Sequence, residues 1–233
     1  MAERFAECVT ALESTLSTWR AAERLVEVDL AAGPGWPSRR GLVLGADAAL
    51  DLGSPAVGSL AFLLWSAAES GTRRRAWRLG PDVSDLAAAS REASLGLVIH
   101  VRGEPPRDSA EEYARYIDLR QALYSITPDG VTLRSMPSQQ HLWLRIHRDA
   151  VARGFTLAHL GATLSDALLG LPFAREVDLL FVTAGPEALA PLRPLGRDVH
   201  RRVGALVKRH EEERAECAEC EYQDICDEKE HPA

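Results

Sequence analysis

Lysine is nearly absent. Lys208 and Lys229 are the only two among 27 basic residues, and arginine supplies the rest, a bias that reads as GC-rich coding rather than as a chosen arginine chemistry. The 34 acidic residues outnumber them, leaving a formal net charge of −7. With no obvious basic face, nucleic acid and anionic membrane surfaces are excluded as expected partners. Long apolar runs are also lacking: no window approaches the roughly 18 apolar residues of a membrane helix. The segment Met1–Glu7 carries acidic residues and no apolar core of signal-peptide length. A cytoplasmic protein is therefore expected, in a compartment where disulfides rarely persist. Of only four cysteines, three fall within ten residues of one another, which points to metal rather than to a disulfide framework. Also missing are a P-loop, a Ser/His/Asp triad pattern and a dinucleotide fingerprint, since Gly33-Pro34-Gly35 lacks the flanking strand and helix.

What is present is an ordinary globular balance, 46% hydrophobic and 26% charged, on a 233-residue chain that one hydrophobic core can serve. Phe5, Val9, Leu12, Leu16 and Trp19 recur at helical spacing, which predicts a helix over 5–26. The run Ala31–Ser38, dense in Gly and Pro, breaks the chain. Extended segments are expected at 41–52, 59–65, 74–79 and 95–101, with a short helix at 83–90. A helix over 109–124 opens on Asp108-Ser109 and two glutamates. Leu142, Leu144 and Ile146 alternate with Trp143, Arg145 and His147 as in a half-buried strand. A helix over 156–169, a strand over 177–182 and a long helix over 192–213 complete the body. This interleaving predicts an α/β (α+β) fold, a mixed sheet flanked by helices. Three parts are expected: an N-terminal helix and Gly/Pro loop (1–40), an α/β domain (41–213) and a Cys-rich tail (214–233).

The tail carries the chemistry. Cys217, Cys220 and Cys226 form C-x2-C-x5-C within ten residues. Two intervening residues let a tight turn aim both sulfurs of the close pair at one centre, and the third cysteine closes the loop from the far side. With His231 the string becomes C-x2-C-x5-C-x4-H, a Cys3His donor set for structural zinc. Alternatively the three thiolates hold three irons of a [4Fe–4S] cluster. The fourth iron is then left to Asp224, Asp227, His210, His231, water or a substrate. Spacing alone does not choose between the two metals.

Three further stretches carry a family resemblance. Asp51-Leu-Gly-Ser-Pro55, then Leu79-Gly-Pro-Asp-Val83, then Trp143–Phe155 with Leu157, His159, Gly161 and Leu164, precede the cysteines in that order. Together, over about residues 42–226, they resemble the beta subunit of the carbon monoxide dehydrogenase/acetyl-CoA synthase complex in its nickel- and iron–sulfur-bearing domain. The resemblance implies that Cys217 and Cys226 ligate a [4Fe–4S] cube and that Cys220 stands where a thiolate bridges to nickel. This sequence has no counterpart of the fourth cube cysteine or of the Cys-Gly-Cys that holds the distal nickel. The resemblance therefore implies a shortened form in which full acetyl-CoA synthesis by this chain alone is not expected. An oxygen-sensitive cluster used for electron transfer or ligand binding in one-carbon and acyl metabolism is expected instead. A redox partner, another protein subunit or a second copy of the chain would complete it. The alternative is a non-catalytic binding or assembly subunit clipped by Cys3His zinc.

The remaining marked residues favour structural roles. Cys8, on an apolar helix stripe, reads as a buried thiol. His100, His141, His147 and His159 read as satisfied histidines, and Trp143 as a half-buried strand tryptophan before an acyl-pocket wall. Arg73-Arg74-Arg75 reads as a solvated strand edge before a coenzyme A phosphate site.

Overall fold

The first helix, α1 (Ala6–Ala21), buries Cys8, Leu12, Leu16 and Trp19 along one stripe. It stops before the expected Val26 because Glu23 turns left-handed at φ 54°. The Glu23 N–H then reaches Arg20 O at 2.9 Å and the Arg24 N–H reaches Trp19 O at 3.0 Å, the paired bonds of a Schellman stop. Leu25–Glu27 thus becomes strand β1. This computed structural model describes residues 4–31, 35–39, 41–54, 56–68, 71–136 and 141–218, and their side chains except those of 135, 136, 141 and 214–218.

The chain continues through β2 (Ala48–Leu52), β3 (Ser59–Ala67), β4 (Arg73–Leu79), α2 (Val83–Ala89), β5 (Glu92–Ala93), β6 (Leu95–Gly103) and α3 (Ser109–Tyr124). Then come β7 (Val131–Met136), β8 (His141–His147), α4 (Arg148–Ala152), α5 (Leu157–Leu169) and β9 (Ala174–Val182). A 3-10 segment (Pro186–Leu192) leads into α6 (Arg193–Ala218). The expected mixed α/β fold is formed, with two mixed sheets in place of one. Five strands run β1-β4-β9-β6-β3, and four run β5-β2-β8-β7. Strand β7 was not anticipated, and of the stretch 41–52 only 48–52 is strand.

Burial explains the division. β6 is buried at nearly every position because both faces of its sheet are covered. Leu97, Ile99, Leu179 and Phe181 face α5 and the second sheet. Val98, Leu180, Leu60 and Leu64 face α1 and α6. The two sheets meet at Ser59, whose Oγ donates to Leu142 O at 2.6 Å and accepts from Leu142 N–H at 2.7 Å.

Register sets the ends of the five-stranded sheet. Pairings Ser59↔Leu95, Gly96↔Val182 and Leu79↔Val182 gather the starts of β3 and β6 with the finishes of β4 and β9. The opposite end holds Ala67, Gly103, Ala174 and Arg73. α6 starts at the first end, with the Arg193 guanidinium beside Gly58, and reaches Ser109 just beyond the second. Its 26 residues span about 39 Å at 1.5 Å per residue.

Candidate functional site

The cysteine motif begins in the last turn of α6, which ends at Ala218. The last described turns of that helix are fastened to the start of α3. The His210 ring stacks on Tyr113 with centroids 3.9 Å apart and planes 11° apart. Ser109 Oγ donates to Glu213 Oε2 at 3.3 Å, and Arg209 Nε donates to the same carboxylate at 2.7 Å. The helix continues unbroken to Ala218, so the backbone of position 217 follows one turn beyond Glu213. Cys220, Cys226 and His231, like the side chain of Cys217, lie outside the described residues, as do Asp224 and Asp227. Among the described residues no group of three or more His, Cys, Asp and Glu is placed to hold a metal ion.

Beside this helix end is a cavity of about 460 Å³ between α3, α6 and the last residues of β3 and β6. Trp65, Pro106 and Phe173 give it apolar walls, and Arg4, Arg115, Arg202 and Arg209 line it as well. Each arginine has its own acid. Arg4 makes two 2.8 Å bonds to Glu112, Arg115 binds Glu111 at 2.7 Å, and Arg202 binds Asp198 at 2.9 Å. The cavity is charge-balanced, and its arginines are already spent on structure.

The stretches that carried the family resemblance have structural work to do. Asp51 pairs with Arg145 through bonds of 2.7 and 3.2 Å, and Arg145 in turn covers the Trp143 ring at 4.3 Å. Gly53, at φ +72°, lies so close to β8 that a Cβ would stand 2.2 Å from Leu142 O. Asp82 Oδ1 accepts from Val83 N–H at 2.7 Å and from Leu157 N–H at 3.0 Å, capping α2 and binding the first turn of α5. Asp51, Gly53 and Asp82 sit at the opposite end of the five-stranded sheet from the finish of α6.

The histidines and the arginine run are likewise engaged. His100 is buried on β6 with Nε2 2.9 Å from Ser66 Oγ. Burial, then the Arg102 guanidinium, pushes its pKa down to about 3, so it is neutral. His159 Nδ1 accepts from Thr156 N–H at 3.2 Å in a capping box at the start of α5. His147 Nδ1 accepts from Asp149 N–H at 3.0 Å and caps α4. The side chain of His141 lies outside the described residues. Arg73 binds Glu176 at 2.6 Å, Arg74 binds Asp166 at 2.6 Å and Arg75 grips Asp178 at 2.8 and 2.9 Å. Burial alone would raise the Asp178 pKa, but hydrogen bonds from Arg75 and Arg102 hold it below the ordinary carboxylate value. The buried Cys8 thiol donates to Asp198 Oδ2 at 3.1 Å. Burial first, and Asp198 second, raise its pKa to about 11, an unreactive thiol.

One residue escaped the sequence reading. Arg120 lines an apolar cavity, and the signal for it was the i, i+4 series Tyr116, Arg120, Tyr124 on α3. No helix among the described residues is long and apolar enough to cross a membrane. No protein-family model matches this chain, and no curated protein matches it.

Proposed function

We propose that the protein is an iron–sulfur protein, with Cys217, Cys220 and Cys226 binding a [4Fe–4S] cluster. Its use would be electron transfer or ligand binding in one-carbon and acyl metabolism, as in the acetyl-CoA synthase beta subunits that the sequence resembles. The observation that carries this reading is the C-x2-C-x5-C string beginning on a helix whose preceding turns are fixed. His210 and Glu213 tie α6 to α3, so the first cysteine starts from a defined place on a folded body. Three thiolates suit such a cluster and leave one iron for a further ligand. When bound, it supplies one-electron chemistry and a Lewis-acidic position.

The protein body would hold the helix end rigid, while the 460 Å³ cavity beside it offers space for a small ligand or a partner's side chain. A cytoplasmic site of action and a protein partner or second copy of the chain belong to the same proposal. The zinc reading is favoured by a separate observation, that His231 completes a four-donor set.

Elemental analysis with acid-labile sulfide and an absorbance spectrum, on protein purified without oxygen, decides between them. About four irons and four sulfides per chain, with a broad band near 400 nm, is the expected result. One zinc and no sulfide would replace the cluster with a structural clip. Cys220→Ser is expected to strip the metal while far-ultraviolet circular dichroism of the body is unchanged, because the body has its own two cores. Collapse of that signal would refute a separable tail site.

A further inference from the structure

A second cavity, of about 130 Å³, lies where α3 and α6 cover the β3 edge of the five-stranded sheet. Its walls are mostly carbon, from Ala61, Leu63, Leu97, Ile99, Leu123 and Leu164. Polar groups come from Arg120, Tyr124 and His200; Tyr124 and His200 are exposed, which puts the mouth on their side.

The state of Arg120 points to a ligand. Its guanidinium lies over the rings of Tyr116 and Tyr124 at 5.5 and 5.7 Å, and Nη2 reaches the Tyr124 hydroxyl at 3.4 Å. Its Nε is buried with no hydrogen-bond partner, and among the described residues no carboxylate pairs with it. Elsewhere Arg75 and Arg145 each grip a carboxylate with two nitrogens. A buried donor left unpaired is unfavourable, and an incoming acceptor removes that penalty. A planar guanidinium with free N–H groups matches a carboxylate in geometry as well as charge. An apolar cavity of roughly 150 Å³ is known to hold benzene, so the space here suits a body of about six carbons.

We propose that this cavity binds a compact monocarboxylate, its apolar body between β3 and α3 and its carboxylate on Arg120 and the Tyr124 hydroxyl. The site is independent of the cysteine tail and requires no metal. It is tested on the full chain by isothermal titration with benzoate and with its neutral counterpart benzamide. Benzoate is expected to bind at least about tenfold more tightly than benzamide. Arg120→Met is expected to abolish that preference while benzamide binding persists, and Leu63→Phe, which fills the cavity, to weaken both. Arg120→Lys keeps the charge but not the fork, so an intermediate preference is expected; it also serves should Arg120→Met fail to fold. Equal affinity for the two probes, no binding of benzoate by the unaltered protein, or a preference that survives loss of Arg120 would each overturn the proposal.

Discussion

The two sheets hide their residues in different ways. In the five-stranded sheet, β6 and β9 are buried almost continuously, because α5 and the second sheet cover one face and α1 and α6 the other. In the four-stranded sheet, β8 alternates: Leu142, Leu144 and Ile146 are buried, while Trp143 and Arg145 between them are only partly covered. The first sheet is a middle layer and the second an outer one. Charge follows the same division. The middle sheet keeps Glu176 and Asp178 buried by surrounding them with Arg73, Arg75 and Arg102, whereas the acid of the outer sheet's pair, Asp51 with Arg145, is only partly buried.

The sharpest way to break this arrangement is at the joint. Gly53→Ala forces an L-residue to φ +72° and drives its Cβ toward Leu142 O, backbone that has no free rotamer with which to retreat. Left-handed strain and overlap together predict a loss of roughly 4 kcal/mol in urea unfolding. A loss below about 1 kcal/mol would mean that the sheets part easily and are not one packed unit. Next in size is a comparison within β8. Leu144→Ala, at a fully buried position, is expected to cost about 3 kcal/mol. The adjacent Trp143→Ala, despite removing the larger side chain, should cost only about 1 kcal/mol through the lost Arg145 stacking. Similar losses at both positions would show that the outer face is covered.

How much of this was legible follows from the same division. The period-two strand at 142–146 and the helical stripes of α1 and α3 were readable because one face of each meets the core. The strand β7 is not legible although Val131 and Thr132 are buried, because Val131–Met136 mixes Thr, Arg and Ser with its apolar residues and carries no strong β signal. The run 41–47 is apolar but not strand, and its Val43 N–H goes to the Thr132 hydroxyl at 2.8 Å instead of to a ladder. The candidate cysteines were legible as spacing, which needs no tertiary contact. Arg120 was not, since its significance rests on the lack of a paired carboxylate among the described residues, and sequence shows only neighbours along the chain.

The middle sheet also predicts a pH response, carried by His100. His100 titrates near 6.5 when unfolded and near 3 when folded. Below pH 6.5 the unfolded chain takes up a proton that the native chain refuses, so stability is complete above that pH and falls as acid is added. The expected loss from this group is about 2 kcal/mol between pH 6.5 and 5. Asp178, whose folded pKa is depressed, acts in a different window: its contribution is present above the ordinary carboxylate value and is lost only as pH falls below it. His100→Gln, which retains a partner for Ser66, should flatten the slope between pH 6.5 and 5 and leave the steeper acid limb. An unchanged slope would show that His100 is not the group being protonated.

The smallest effect lies at the strand that the helix periodicity hid. Glu23 holds a left-handed conformation to end α1 and release β1 into the middle sheet, pairing Leu25 with Leu79 and Glu27 with Trp77. Among the described residues the Glu23 side chain makes no ion pair or hydrogen bond that offsets the strain. Glu23→Gly removes the Cβ clash but adds freedom to the unfolded chain, so the net gain should be modest, about 0.5–1 kcal/mol in urea unfolding. A loss instead would mean that the Glu23 side chain contributes more than its backbone costs. In that case the stop of α1 depends on side-chain chemistry at this turn and not on the paired hydrogen bonds from Glu23 and Arg24 alone.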